Sequence, residues 1–241
     1  MEINLKNFDQ HILRLHKAWD LYSGRKEEAA ENFALTDLFY LPICGFLFGS
    51  ALWIASDILL YFESFSRLGV SVVGSFAING LMIWFSSGNL FKAHAALGKL
   101  IGLNRQDQAQ GFLPALSQSL LLFRLIAVWF LLYKDLNWWL IYLPLLSSTS
   151  FTLFVSQSFN DMLRPKSSSI WSASIVLALL PVIFTHELVP VILTFAAAFA
   201  LFKFIQRHSD SLDVQESITL SNESLECLAL CTGLLIMNTG I

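Results

Sequence analysis

Arg124 is the one charged residue between Phe112 and Tyr133, in a run that is otherwise almost wholly apolar. An ionisable side chain placed inside a membrane span is costly and marks a functional position by default. A guanidinium grips phosphate and carboxylate in two-pronged fashion, which makes Arg124 the candidate substrate-binding residue. The structural alternatives are a pair with Asp57, a bond to a helix-end carbonyl, or snorkelling to an interface. The histidines offer less: His11, His16, His94, His186 and His208 have no partner at a recognised metal-ligand spacing. No Gly-x-Ser-x-Gly turn and no Walker-type phosphate loop is present. The hydroxyl-rich band Ser147, Ser148, Thr149, Ser150, Thr152, Ser156, Gln157 and Ser158 either lines a hydrophilic cavity or holds helices together. Short hydroxyl side chains favour the second reading. Asp210, Asp213, Glu216, Glu223 and Glu226 read, by charge alone, as a solvated acidic loop, and Asp57 as a solvated residue near a membrane surface.

The elements that must position these residues are membrane helices. Of 241 residues, 55% are hydrophobic and only 14% charged, against about 25% charged in a typical soluble domain. Mean hydropathy is +0.60. A net charge of −3 without a basic block excludes a nucleic-acid partner. Cys44, Cys227 and Cys231 all lie in apolar runs and read as small packing residues rather than a disulfide or zinc framework. The polar first 37 residues show no cleavable signal pattern, so the first span is expected to direct insertion.

Two parts follow: a cytoplasmic N-terminal segment, 1–37, and a single transmembrane helical domain, 38–241. In the first, Phe8, Ile12, Leu15, Trp19 and Tyr22 recur at three- and four-residue spacing and predict an amphipathic helix. It either lies in the membrane interface or packs on the ends of the spans. About 20 apolar residues cross a bilayer core. Leu38–Phe62, Leu68–Phe91, Phe112–Tyr133, Leu136–Asn160, Ser167–Thr185, Leu188–Phe204 and Leu225–Ile241 give about seven such spans, the last one short. Cytoplasmic loops are enriched in Lys and Arg. With these spans, alternate compartments hold twelve and two basic residues, which predicts an inner-membrane protein with its N-terminus in the cytoplasm and its C-terminus outside. Residues 92–111 and 205–224 then form the long cytoplasmic connections. The fold class is an all-α polytopic membrane bundle.

Three stretches together resemble the cobalamin synthase family, the membrane-bound adenosylcobinamide-GDP ribazoletransferases. In Tyr40-Leu-Pro-Ile-Cys-Gly-Phe-Leu-Phe-Gly49, Pro42, Gly45 and Gly49 match that family's first span, and such glycines permit close helix approach. The order and length of spans agree over nearly the whole chain. In Ser209–Leu230, Asp213 and Glu223 keep the ten-residue spacing of the family's Asp and Glu, with an apolar tail after them. The resemblance implies joining of α-ribazole or its phosphate to adenosylcobinamide-GDP with release of GMP, a Mg²⁺-assisted phosphoryl transfer. It also implies membrane lipid, a corrinoid and a nucleotide as partners, and it leaves room for a homo-oligomer. The family's acidic signature after the second span is replaced here by Phe85-Ser-Ser-Gly-Asn-Leu-Phe-Lys-Ala-His-Ala-Ala, with Gly88, Lys92 and Ala95 where acids would align. What remains at that end is Asn89, Lys92, His94, Asp213 and Glu223, the candidate catalytic set, with Asp213 and Glu223 as the candidate metal ligands. Three readings therefore stand: a divergent Mg²⁺-dependent transferase, an inactive relative acting as a membrane scaffold or binding partner, and a small-solute transporter.

Overall fold

The computed structural model describes residues 5–23, 40–62, 64, 66–86, 89–100, 111, 113–158, 192–193, 195–197, 199–200, 203 and 214–239. The described residues contain helices and no strand. In chain order the helices are α1 (Leu5–Ser23), α2 (Leu41–Leu60), α3 (Arg67–Phe85), α4 (Asn89–Leu100), α5 (Leu113–Tyr133), α6 (Trp139–Ser158) and α7 (Val214–Thr239). Among the described residues, three stretches are long and apolar enough to cross a membrane: Leu41–Leu60, Arg67–Phe85 and Pro114–Tyr133. Trp139–Thr149 is a shorter apolar helix. The expected spans at 167–185 and 188–204 lie almost wholly outside the described residues.

Local chemistry sets the helix boundaries. Pro42 occupies the first turn of α2, where no intrahelical N–H is needed. Ser66 caps α3, its hydroxyl accepting from the Gly69 N–H at 3.1 Å. The apolar run at 68–91 suggested one span, but α3 stops at Phe85 and α4 starts at Asn89. Ser86 ends α3, and hydropathy alone does not register such a break. Asp135, with φ of 58°, turns the chain between α5 and α6.

α2 and α6 approach each other closely. A Cβ added at Gly49 would stand 2.6 Å from the Ile141 carbonyl oxygen and 2.8 Å from its Cα. The sequence expectation of glycine-mediated approach thus describes this pair. Cys44, Phe48 and Leu52 of α2 and Leu140, Leu143 and Leu146 of α6 share one buried core. Ser147, Ser148, Thr149 and Thr152 of the hydroxyl band are buried, and the band's hydrogen bonds to helix carbonyls run within α6 rather than between helices. Ser147 and Ser148 donate to the Pro144 carbonyl at 3.1 and 2.7 Å, and Thr152 donates to the Ser148 carbonyl at 2.8 Å.

α7 packs along α6, α4 and α5. Trp139 at the start of α6 donates its indole N–H to the Ala229 carbonyl of α7 at 3.0 Å. Near the opposite end of α7, Lys99 of α4 pairs with Glu216. At the Trp139 end of the bundle, Arg67 donates to the Tyr133 carbonyl at 2.9 Å and pairs with Asp135. The C-terminal half of α1 packs on the bundle: Ala18 and Tyr22 are buried, and Leu15 and Trp19 lie against the core. Trp19 meets Phe85 edge-on at 6.1 Å. Ile12 and Leu13, nearer its start, are exposed, so the packing reading holds for the second half of α1. Cys44 is buried as expected and Cys227 is partly so, but Cys231 is exposed on α7 and does not serve as a core residue.

Candidate functional site: a buried arginine between two glutamates

Arg124 stands midway along α5 and is 2% exposed. Its two terminal nitrogens reach different carboxylates of α7. Nη1 pairs with Glu223, and Nη2 lies 2.9 Å from Glu226 Oε2. Glu223 and Glu226 are three residues apart, so one helix face presents both. Nη2 also contacts the Met82 sulfur of α3 at 3.7 Å. From α1, the Tyr22 hydroxyl donates to Glu226 Oε1 at 3.4 Å. Burial and the nearby Glu226 carboxylate push the Tyr22 phenol well above its ordinary value, so it remains a neutral donor. Four helices thus converge on one charged cluster.

Beside the cluster lies a cavity of about 20 Å³ lined by Tyr22, Phe48, Met82, Ser86, Asn222, Glu223 and Glu226. Asn222 is 8% exposed, and its side-chain oxygen has no hydrogen-bond partner.

These contacts revise two sequence expectations. Arg124 does not pair with Asp57, which is exposed and meets Asn137 at 3.4 Å instead. The segment read as a solvated acidic loop is partly the first half of α7, with Glu223 and Glu226 buried. The guanidinium meets both carboxylates, which offsets the cost of burying them.

The candidate catalytic set divides. Glu223 is in the cluster. His94 is buried on α4 and shares a hydrogen bond with Ser117 of α5. Leu97 packs on Ala93, Ala96 and Leu220 in a separate small core. Lys92 is exposed. Asn89 begins α4, and its side chain lies outside the described residues, as does Asp213. Sequence reasoning missed Tyr22, Met82, Asn222 and Glu226. Glu223 and Glu226 at helical spacing, leading into an apolar run, were the available signal for the counter-charge that Arg124 requires.

His94 makes a testable contribution. Burial first, and then the Arg124 charge, hold its pKa below the ordinary 6.5, so the imidazole is neutral near pH 7. An unfolded chain takes up a proton as pH falls through 6.5, whereas the folded chain resists until its lower pKa is passed. Stability from this residue is therefore full above pH 6.5 and falls below it, by at most about 1.4 kcal/mol per pH unit. The difference between wild type and His94→Gln in denaturant unfolding between pH 7 and 5 is expected to carry this slope, one proton's worth. An unchanged slope in the variant would contradict the assignment.

Chemically, the cluster can bind and orient a small polar species through carboxylate, amide and hydroxyl oxygens. Among the described residues, no three His, Cys, Asp or Glu side chains gather where they could hold a metal ion. Comparison of the chain with family models, curated proteins and solved structures finds no match.

Proposed function

We propose that this chain is a seven-span membrane protein, built like the cobalamin synthases, that binds a corrinoid nucleotide at its cytoplasmic end without turning it over. The observation that carries this reading is the engagement of Glu223 by Arg124. Glu223 is one of the two acids that match the family pattern, and here its charge is engaged by a guanidinium, which leaves too little negative charge for a divalent ion. The second-span acids are replaced by Gly88, Lys92 and Ala95. A Mg²⁺ ion held against a pyrophosphate needs several oxygen ligands, and Glu223 and Glu226 already share one cation. The twelve-to-two distribution of basic residues supports a cytoplasmic N-terminus. The course of α7 from the Glu216 level to Trp139 supports an outward final span.

Purified protein in nanodiscs, given adenosylcobinamide-GDP, α-ribazole and Mg²⁺, is expected to retain the corrinoid and to release no GMP above an empty-nanodisc blank. Released GMP would restore the transferase reading. Failure to retain the corrinoid would remove the binding role.

A further inference from the structure

With both carboxylates and the guanidinium ionised, the cluster of Arg124, Glu223 and Glu226 carries one surplus negative charge. Arg124 engages one oxygen of each carboxylate, Oε2 in both cases. Glu226 Oε1 receives only the long Tyr22 contact. The adjoining cavity is lined by both glutamates, Asn222 and Ser86. The Asn222 amide oxygen is an acceptor buried without a partner, a cost that native structures relieve with water or an ion. Ser86 Oγ donates to the Ile83 carbonyl at 3.2 Å, which leaves its lone pairs available.

We propose that this cavity is a binding site for one monovalent cation of sodium or potassium size, held by oxygens of Glu223, Glu226, Asn222 and Ser86. Size and charge select the occupant. About 20 Å³ suits a single water-sized species. The residual charge of −1 favours a monovalent cation over an anion, and it is too small to balance a dehydrated divalent ion beside a guanidinium. Water alone would satisfy Asn222 but not the charge, and a proton on Glu226 would balance the charge but leave Asn222 unpaired; one cation does both. The ion would join α7 to the end of α3 under the C-terminal turn of α1, because the lining side chains come from those helices and α2.

The full-length protein in neutral-lipid nanodiscs provides the test, with tryptophan fluorescence reporting thermal unfolding. NaCl or KCl is exchanged for choline chloride at constant ionic strength. The expected result is a saturable rise in melting temperature on the order of 3 °C, absent in Asn222→Leu. Should that variant not fold, Ser86→Ala is expected to weaken the apparent cation affinity several-fold in the same titration. An equal response to choline, an undiminished response in the variants, or a response to Mg²⁺ alone would overturn the proposal. No corrinoid enters this titration, so its failure and a failure of the binding role are separately visible.

Discussion

Arg124→Leu is expected to lower stability by about 3–5 kcal/mol, the range for removing one partner of a buried ion pair. The substitution does not simply delete two ion pairs. It strands Glu223 and Glu226 on one face of α7, 8% and 9% exposed at their side chains, with the neutral Tyr22 hydroxyl as a weak remaining donor. Two carboxylates three residues apart and without a counter-charge must then take up protons or draw water between α5 and α7. Arg124→Lys is expected to fall between wild type and leucine, because an ammonium keeps the charge but cannot span both carboxylates as the planar fork does.

The triple variant Arg124→Met, Glu223→Gln, Glu226→Gln separates the value of the pairs from the cost of an orphaned charge. Replacing a whole buried ionic group is often close to neutral, so this variant is expected to recover most of the loss. Denaturant or thermal unfolding in a fixed detergent measures all three. A loss below about 1 kcal/mol for Arg124→Leu would show that the carboxylates reach solvent in the folded protein. The buried cluster described here would then be wrong.

Arg124 was legible in the sequence because a lone cation in an apolar run conflicts with its surroundings. Its partners were not. Glu223 and Glu226 lie 99 and 102 residues further along the chain, and nothing in local composition couples the two places. Glu223 lies inside, and Glu226 just beyond, a strongly polar stretch, Gln215 to Ser224, that reads as loop. That stretch is helical here because its polar groups find internal partners: Glu216 meets Lys99, and Glu223 meets Arg124. Hydropathy sums residue types and has no means of counting such pairing.

The long apolar helices were easier to read, since each long apolar run must satisfy its own backbone away from water and does so as a helix. The break at Ser86 falls at the polar exit 86–89, but apolar residues continue past it to Phe91, so the hydropathy run extends too far. The same break sets Ser86 against the cavity, and α4 beyond it carries His94 toward α5. Local turn chemistry, more than hydrophobicity, therefore decides which polar groups meet at this end of the bundle.

Gly45→Ala is expected to destabilise the bundle by about 1–3 kcal/mol through overpacking, although alanine is the better helix former. A Cβ at Gly45 would fall within 3.0 Å of Ser148 Oγ and of the carbonyl carbon and oxygen of Pro144. A flexible side chain could retreat, but a helix backbone cannot. The α2 and α6 axes must separate, loosening Cys44 and Phe48 in the shared core. Ser148→Ala removes only the hydroxyl from this clash and leaves the Pro144 carbonyl, so it is expected to rescue little of the loss. Gly80 on α3 is the internal control: a Cβ there meets nothing within 4 Å. Gly80→Ala is expected to be neutral or to stabilise by up to about 1 kcal/mol from helix propensity alone. If thermal unfolding shows the same change for Gly45→Ala and Gly80→Ala, propensity governs both positions and the close α2–α6 contact is absent. Opposite signs would place the selection for glycine at 45 in the approach of the two backbones.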